Sequence, residues 1–368
     1  MESLTRYPDG FPLFVPERLR WFFGNSNPVG QVGFTCMLYF RGGHLPEVQA
    51  RVCECVREYL ALIGERARIW HMPASRRMVT TKRCGPPVID VEQFDVPRKK
   101  WSVAAHCLVT SNRMLKEASS IPPDCKLAVM CKLREVGAWY SGERARPDMP
   151  SHIPLERQNS SFFASFPPSV FPGHAPHLAF AALVRTWCDR LAPVNGAAGW
   201  GVTHVADPYG FLDNKDGIAP WLLRYPGLGL PENLLGEDLF TERIAAVNWL
   251  TMINAELAER VGGPERLKAL GEAFPLTAYP GGYMIQAGPT PELGDREAGD
   301  IPRHYGVVHE LLRPLHLPLD CMDLVRHVLP EDAGPDYVEK CLPSPAENSQ
   351  RVRDFHEQWL RRFDPPAP

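Results

Sequence analysis

The sequence predicts an α+β protein of two mixed α/β lobes, in which short strands alternate with packed helices. Three observations lead there. Runs rich in β-branched and aromatic residues alternate with longer stretches whose apolar residues recur at three- and four-residue steps, so both kinds of element are present. The chain of 368 residues holds 38 Pro, and proline is excluded from helix interiors and central strands, which argues for many ordered loops and against a long helical bundle. The length exceeds that of most single compact domains, while 44% hydrophobic and 10% aromatic residues supply a large core.

Taken in order, residues 31–40 read as a strand because of their aromatic and β-branched content, closed by Gly42 and Gly43. Pro46 suits a first helical position. Val48, Val52, Cys55, Val56, Tyr59, Leu60 and Ile63 then repeat at helical steps until Gly64 stops the run. Residues 67–71, 87–93 and 102–110 read as strands, and 127–140 fits strand or helix. The polar, proline-punctuated stretch 141–160 is the candidate boundary, giving lobes 1–150 and 151–368.

In the second lobe, 160–166 reads as a strand, 177–191 as a helix with Val184, Trp187 and Leu191 at helical spacing, and 199–206 as a strand. The order strand, Gly/Pro break, helix, strand occurs in both lobes and hints at a structural duplication, although no residue pattern recurs at a fixed period. Further on, 245–254 reads as a strand, 255–261 and 264–270 as helices separated by Gly262 and Gly263, and 283–287 as a strand. An acidic loop carries Glu292, Asp295, Glu297 and Asp300. A helix over 302–314 follows, and a final helix over 347–363 bears Val352, Phe355, Trp359 and Phe363 on a face suited to docking on the body.

The formal net charge of −3 conceals an asymmetry: residues 1–150 hold 22 Lys and Arg against 15 Asp and Glu, and the remainder 18 against 28. The basic clusters, Arg76, Arg77, Lys82 and Arg83, then Arg98 to Lys100, form no recognised nucleic-acid motif and read as a solvated face. An acidic half suits a basic protein partner. Residues 1–14 contain no basic segment followed by an apolar run, and no stretch approaches 18 apolar residues. The expectation is a cytoplasmic protein without a membrane partner, whose ten cysteines are reduced.

A search for catalytic spacing finds no nucleophile elbow, phosphate loop, dinucleotide fingerprint or His-Glu-x-x-His. The cysteines lack Cys-x-x-Cys spacing, and His304 and His309 are five apart, on different helical faces. Asp207 with Asp213-Asn214-Lys215 faintly follows the carboxylate and Asp-x-Lys pattern of metal-dependent nucleases, but in a Pro/Gly loop, where a polar turn is the simpler reading. The expectation is no catalysis, no metal and no cofactor.

The run Arg224-Tyr225-Pro226-Gly227-Leu228-Gly229-Leu230-Pro231, then Val247-Asn248-Trp249-Leu250-Thr251, Glu256-Leu257 with Gly262-Gly263, and Tyr283 to Pro289 with Gly294-Asp295 resembles the bacterial type VI secretion immunity family. Its members are encoded beside nuclease toxins of restriction-endonuclease type, VRR-Nuc toxins among them. The resemblance spans about residues 30–320 and is strongest over 160–317. It implies a scaffold that binds and neutralises a cognate nuclease toxin by stoichiometric contact, without direct nucleic-acid or membrane binding; a homodimer is left open. The physical expectation for the contact is a rim of second-lobe acids: Asp213, Asp216, Glu237, Asp238, Glu292, Asp295, Glu297 and Asp300. Two rivals stand beside it: an adaptor that loads the toxin onto the secretion machine, and a metal-dependent hydrolase using His204, Asp207 and Asp213.

Overall fold

A computed structural model describes residues 27–72, 77–84, 87, 104–111, 123–133, 154–204, 221–229, 242–244, 246–316 and 354–364, with short strands at 5–6, 12–13 and 21–23. In chain order the strands are β1 Thr5–Arg6, β2 Pro12–Leu13, β3 Trp21–Phe23, β4 Asn27–Phe40, β5 Ile69–Met72, β6 Arg77–Thr80, β7 Ala104–Thr110 and β8 Lys126–Lys132. They continue with β9 Ser160–Phe166, β10 Asn195–His204, β11 Leu250–Asn254, β12 Leu276–Tyr279 and β13 Gly282–Gln286. The helices are α1 Pro46–Ile63, the single turn α2 Thr81–Cys84, α3 Pro176–Leu191, α4 Ala255–Arg260, α5 Gly263–Lys268 and α6 Arg303–Leu312. A further helix covers 354–360.

The strands β3 to β13 form one 11-stranded sheet in the order β12-β13-β11-β10-β4-β9-β8-β7-β5-β6, with β3 beside β4. Its strand pairs are antiparallel. The α+β class is as expected from the sequence. The sheet runs without interruption between the two halves of the chain: β8 pairs with β9, and β4 lies between β9 and β10. Residues on either side of the polar segment 141–160 therefore share one sheet.

The core follows from alternation along β4. Phe34, Cys36 and Leu38 stand opposite Phe166, Ala164 and Phe162 of β9 and opposite Trp200, Ala198 and Gly196 of β10. Helices α1 and α3 cover this face. From α1, Val52, Val56 and Tyr59 are buried, and from α3, Phe180, Val184 and Trp187. Aromatic rings interlock between the layers: Phe34 lies 4.6 Å from Trp200 and 4.8 Å from Phe180, and Phe162 lies 4.9 Å from Trp187. The two helices are also joined by the Trp187 indole N–H, which donates to Glu58 at 3.1 Å, and by Arg190, which bridges Glu58 at 2.5 Å.

Helix α1 starts and stops at the residues read from sequence, since Pro46 opens it and Gly64 takes φ 53° beyond its end. Other boundaries differ. Of the ambiguous 127–140, residues 127–132 belong to β8, Lys126–Lys132, and 134–140 lie outside the described residues. The strand expected over 245–254 begins only at Leu250, because the Asn248 side chain accepts from Trp249 N–H at 2.7 Å and the Asn248 N–H bonds Thr251 Oγ1 at 3.2 Å, taking up backbone donors that a strand would pair. Strands β6 and β12 were not anticipated. Residues 88–93 of the expected strand 87–93 and the start of the final helix fall outside the described residues. The eight described cysteines are free thiols, seven of them buried, and burial pushes those of Cys107 and Cys125 up to about 12. No helix among the described residues is long and apolar enough to cross a membrane.

Candidate partner-binding surface

Three of the four sequence segments that carry the family resemblance, at 224–229, 247–251 and 283–295, meet at one corner of the sheet. After a helical turn at 221–224, the chain reverses through Tyr225-Pro226-Gly227-Leu228, closed by Leu228 N–H to Tyr225 O at 3.0 Å. Gly227 N–H then donates to Leu293 O at 2.8 Å and Gly229 N–H to Trp200 O at 2.7 Å. A Cβ on Gly227 would sit 2.0 Å from the Glu292 carbonyl oxygen, so only glycine allows this approach. Asn248 Nδ2 also donates to Trp200 O, at 2.9 Å, and Trp249 Nε1 to Gly288 O, at 3.0 Å. Trp249 is wholly buried and belongs to the core.

The acidic loop rests on this base. The Trp200 indole N–H donates to Pro291 O at 3.2 Å, and Glu292 N–H to the Tyr305 hydroxyl oxygen at 2.9 Å. Asp295 and Asp300 exchange backbone hydrogen bonds of 2.7 and 3.0 Å, and the Asp295 carboxylate accepts from Glu297 N–H at 3.1 Å. Arg224 reaches across from the turn. Its Nε and Nη2 donate to the two Asp295 oxygens at 3.2 and 2.9 Å, and its Nη1 lies 2.6 Å from Glu297. The bidentate bond to Asp295 raises the arginine pKa further, so the guanidinium stays charged.

A buried cation fastens the corner to the C-terminal helix. Arg362 is fully buried and donates to the carbonyl oxygens of Pro226 at 3.3 Å, Trp359 at 2.9 Å and Val247 at 3.0 Å. Its guanidinium lies 3.7 Å from the Trp359 ring centre and 4.2 Å from that of Phe363. Arg296 donates back to Arg361 O and Arg362 O at 3.0 and 2.6 Å. Beneath the helix, His309 and His316 pack with ring centres 4.5 Å apart. Desolvation pushes His309 down to about 3, and desolvation with the charges of neighbouring His and Arg side chains lowers His316 strongly.

Of the acids expected at a binding rim, the structure brings four together on this loop. Glu297 and Asp300 are exposed. Asp295 is held by Arg224, and Glu292 lies 3.2 Å from His304 Nδ1. Asp213, Asp216, Glu237 and Asp238 lie outside the described residues, as does Asp207. Sequence reasoning missed the turn residues Trp221 and Tyr225, whose rings stack at 5.6 Å and 9° with Arg224 5.2 Å from the Tyr225 ring. The four-residue step from Trp221 to Tyr225, one helical turn before Pro-Gly, was the available signal. Among the described residues no group of three His, Cys, Asp or Glu side chains could hold a metal ion.

Fold and corner together define an α+β scaffold that presents charged and aromatic side chains from a stiff backbone frame. The family model described as type VI immunity for VRR-NUC matches residues 125–331, more than half of the chain, and the chain belongs to that family. The match contains both the turn and the acidic loop. Among solved structures, the Pseudomonas aeruginosa T6SS protein PA0821 superposes with a TM-score of 0.65 over 92% of this chain and 83% of that one, at 19% identity, a likeness of fold. No curated protein matches the sequence.

Proposed function

We propose that this chain neutralises a cognate nuclease toxin of VRR-NUC type in the cytoplasm, by stoichiometric protein–protein binding and without turnover. The observation that carries the reading is that the family match over 125–331 includes the hydrogen-bonded turn at 221–229 and the acidic loop at 292–300, on which Glu297 and Asp300 are exposed. A nuclease grips phosphates with Lys and Arg, and carboxylates at the rim of a partner steer onto such a surface. In this reading Asp213, Asp216, Glu237, Asp238, Glu292, Asp295, Glu297 and Asp300 form the rim. A stiff loop loses little freedom on binding, which favours tight capture.

The test is DNA cleavage by the nuclease encoded beside this chain, followed as the chain is titrated in. Cleavage should stop at an equivalence point of about one chain per nuclease active unit, as expected for a tight complex. Unchanged cleavage at large excess sinks the proposal. Replacing Glu292, Asp295, Glu297 and Asp300 together by Ser should slow association and flatten its salt dependence. If both stay as in the wild type, these four acids are not the rim.

A further inference from the structure

The same corner carries a feature that acidic steering does not use. Trp221 and Tyr225 form a parallel stack with centres 5.6 Å apart, and it is the stacked aromatic pair among the described residues in which neither ring is buried. Both rings are half-buried, with their inner sides packed against the core, whereas the exposed large apolar side chains among the described residues, Leu45, Leu62, Leu178 and Val307, lack such a ring pair. Beneath the stack, Leu222, Pro226 and Leu228 are buried, and Gly227 is locked against the Glu292 carbonyl. At its edge, Arg224 is tied to Asp295 and Glu297. Trp, Tyr and Arg are the side chains that dominate binding energy in protein interfaces, where they sit on rigid supports inside a polar rim.

We infer that Trp221 and Tyr225 are the central anchor for the nuclease, and that Arg224 is the positioning residue that holds Asp295 and Glu297 beside them; this rests on the immunity reading above. The occupant is a basic face of the nuclease. A partner Arg or Lys laid over the stacked rings gains a cation–π contact, and its charge meets Glu297 and Asp300 at the edge. Aromatic stacks also receive unpaired bases in single-stranded DNA. Here the flanking carboxylates repel phosphate, so the protein occupant is the one the charges favour.

The experiment measures binding of a catalytically dead nuclease to the full-length chain by calorimetry, with melting curves for every variant. Trp221→Ala should weaken binding by about thirtyfold or more while the chain stays folded. Arg224→Gln should weaken it by roughly tenfold and reduce its salt dependence, since the two carboxylates lose their fixed geometry. Glu265→Ala, on α5, should bind as wild type. In case Trp221→Ala does not fold, amide exchange on the wild-type complex provides an independent reading, with protection expected at 221–229 and 292–300. Wild-type affinity for both anchor variants, or protection elsewhere, overturns the anchor while leaving the immunity reading intact. Failure of the wild type to bind the nuclease overturns both. Protection of 221–229 by a single-stranded oligonucleotide, and not by the nuclease, replaces the protein occupant with nucleic acid.

Discussion

The helix-covered sheet and the stitched corner hold themselves together by different physics. Under α1 and α3 the contacts are aromatic and aliphatic, the elements are long, and the strength comes from area removed from water. At the corner the segments are short and irregular, and they are joined by side chains that donate to carbonyl oxygens: Trp200 to Pro291, Asn248 to Trp200, Trp249 to Gly288, and Arg362 to Pro226, Val247 and Trp359. The first region sets whether the protein folds. The second sets where a few exposed groups point, and directional bonds to backbone do that better than apolar packing.

The largest effect that probes this contrast belongs to the sheet. Trp187→Ala empties the space between α1, α3 and β9 and should cost about 3–5 kcal/mol, read as a lower urea midpoint with the whole sheet lost in one transition. A loss confined to α3 would show that the helical layer is not part of the same cooperative unit.

Next comes Arg362→Met, which keeps bulk over Trp359 but leaves the Pro226 and Val247 carbonyls without their donor, while Trp359 O keeps the Arg362 backbone N–H. The expected cost is about 2–4 kcal/mol, with amide exchange rising first at 354–364 and 221–229 while β4 and β9 stay protected. Equal loss of protection in β4 would erase the distinction between the two regions.

The smallest effect is acid sensitivity. His309 and His316 are neutral when folded, the first with its pKa pushed down to about 3 and the second with its pKa held well below the ordinary histidine range by burial, against about 6.5 in the unfolded chain. Between those values the unfolded state binds more protons, so stability is unaffected above about pH 7 and falls as pH drops through 6.5. His309 should cost about 1.4 kcal/mol between roughly pH 7.5 and 5.5, and His316 adds to the loss in the same direction. Urea titrations across that range test it, and His316→Phe should flatten the slope. An unchanged slope would mean that His316 is not the group that titrates.

Much of the sheet region was legible in the sequence because its signals are local. Pro46 and Gly64 bracket α1, and the aromatic runs of β4 and β9 speak for themselves. Strand β12, only Leu276–Tyr279, is too short to show a period, and the late start of β11 depends on an Asn side chain competing with the ladder. In the corner, composition showed the acids of 292–300 but not their partners, since Arg224 lies 71 residues from Asp295. No local rule reports a contact across that distance. Trp221 and Tyr225 stand one helical turn apart, a spacing that puts them on one face but does not report that their rings stack.

Arg362 bonds to Pro226, 136 positions earlier in the chain. During synthesis the strands of the sheet emerge, and can pair, well before residue 362 leaves the ribosome. The bonds that Arg362 makes to Pro226 and Val247 can therefore form only on a chain whose translation has already run through this arginine.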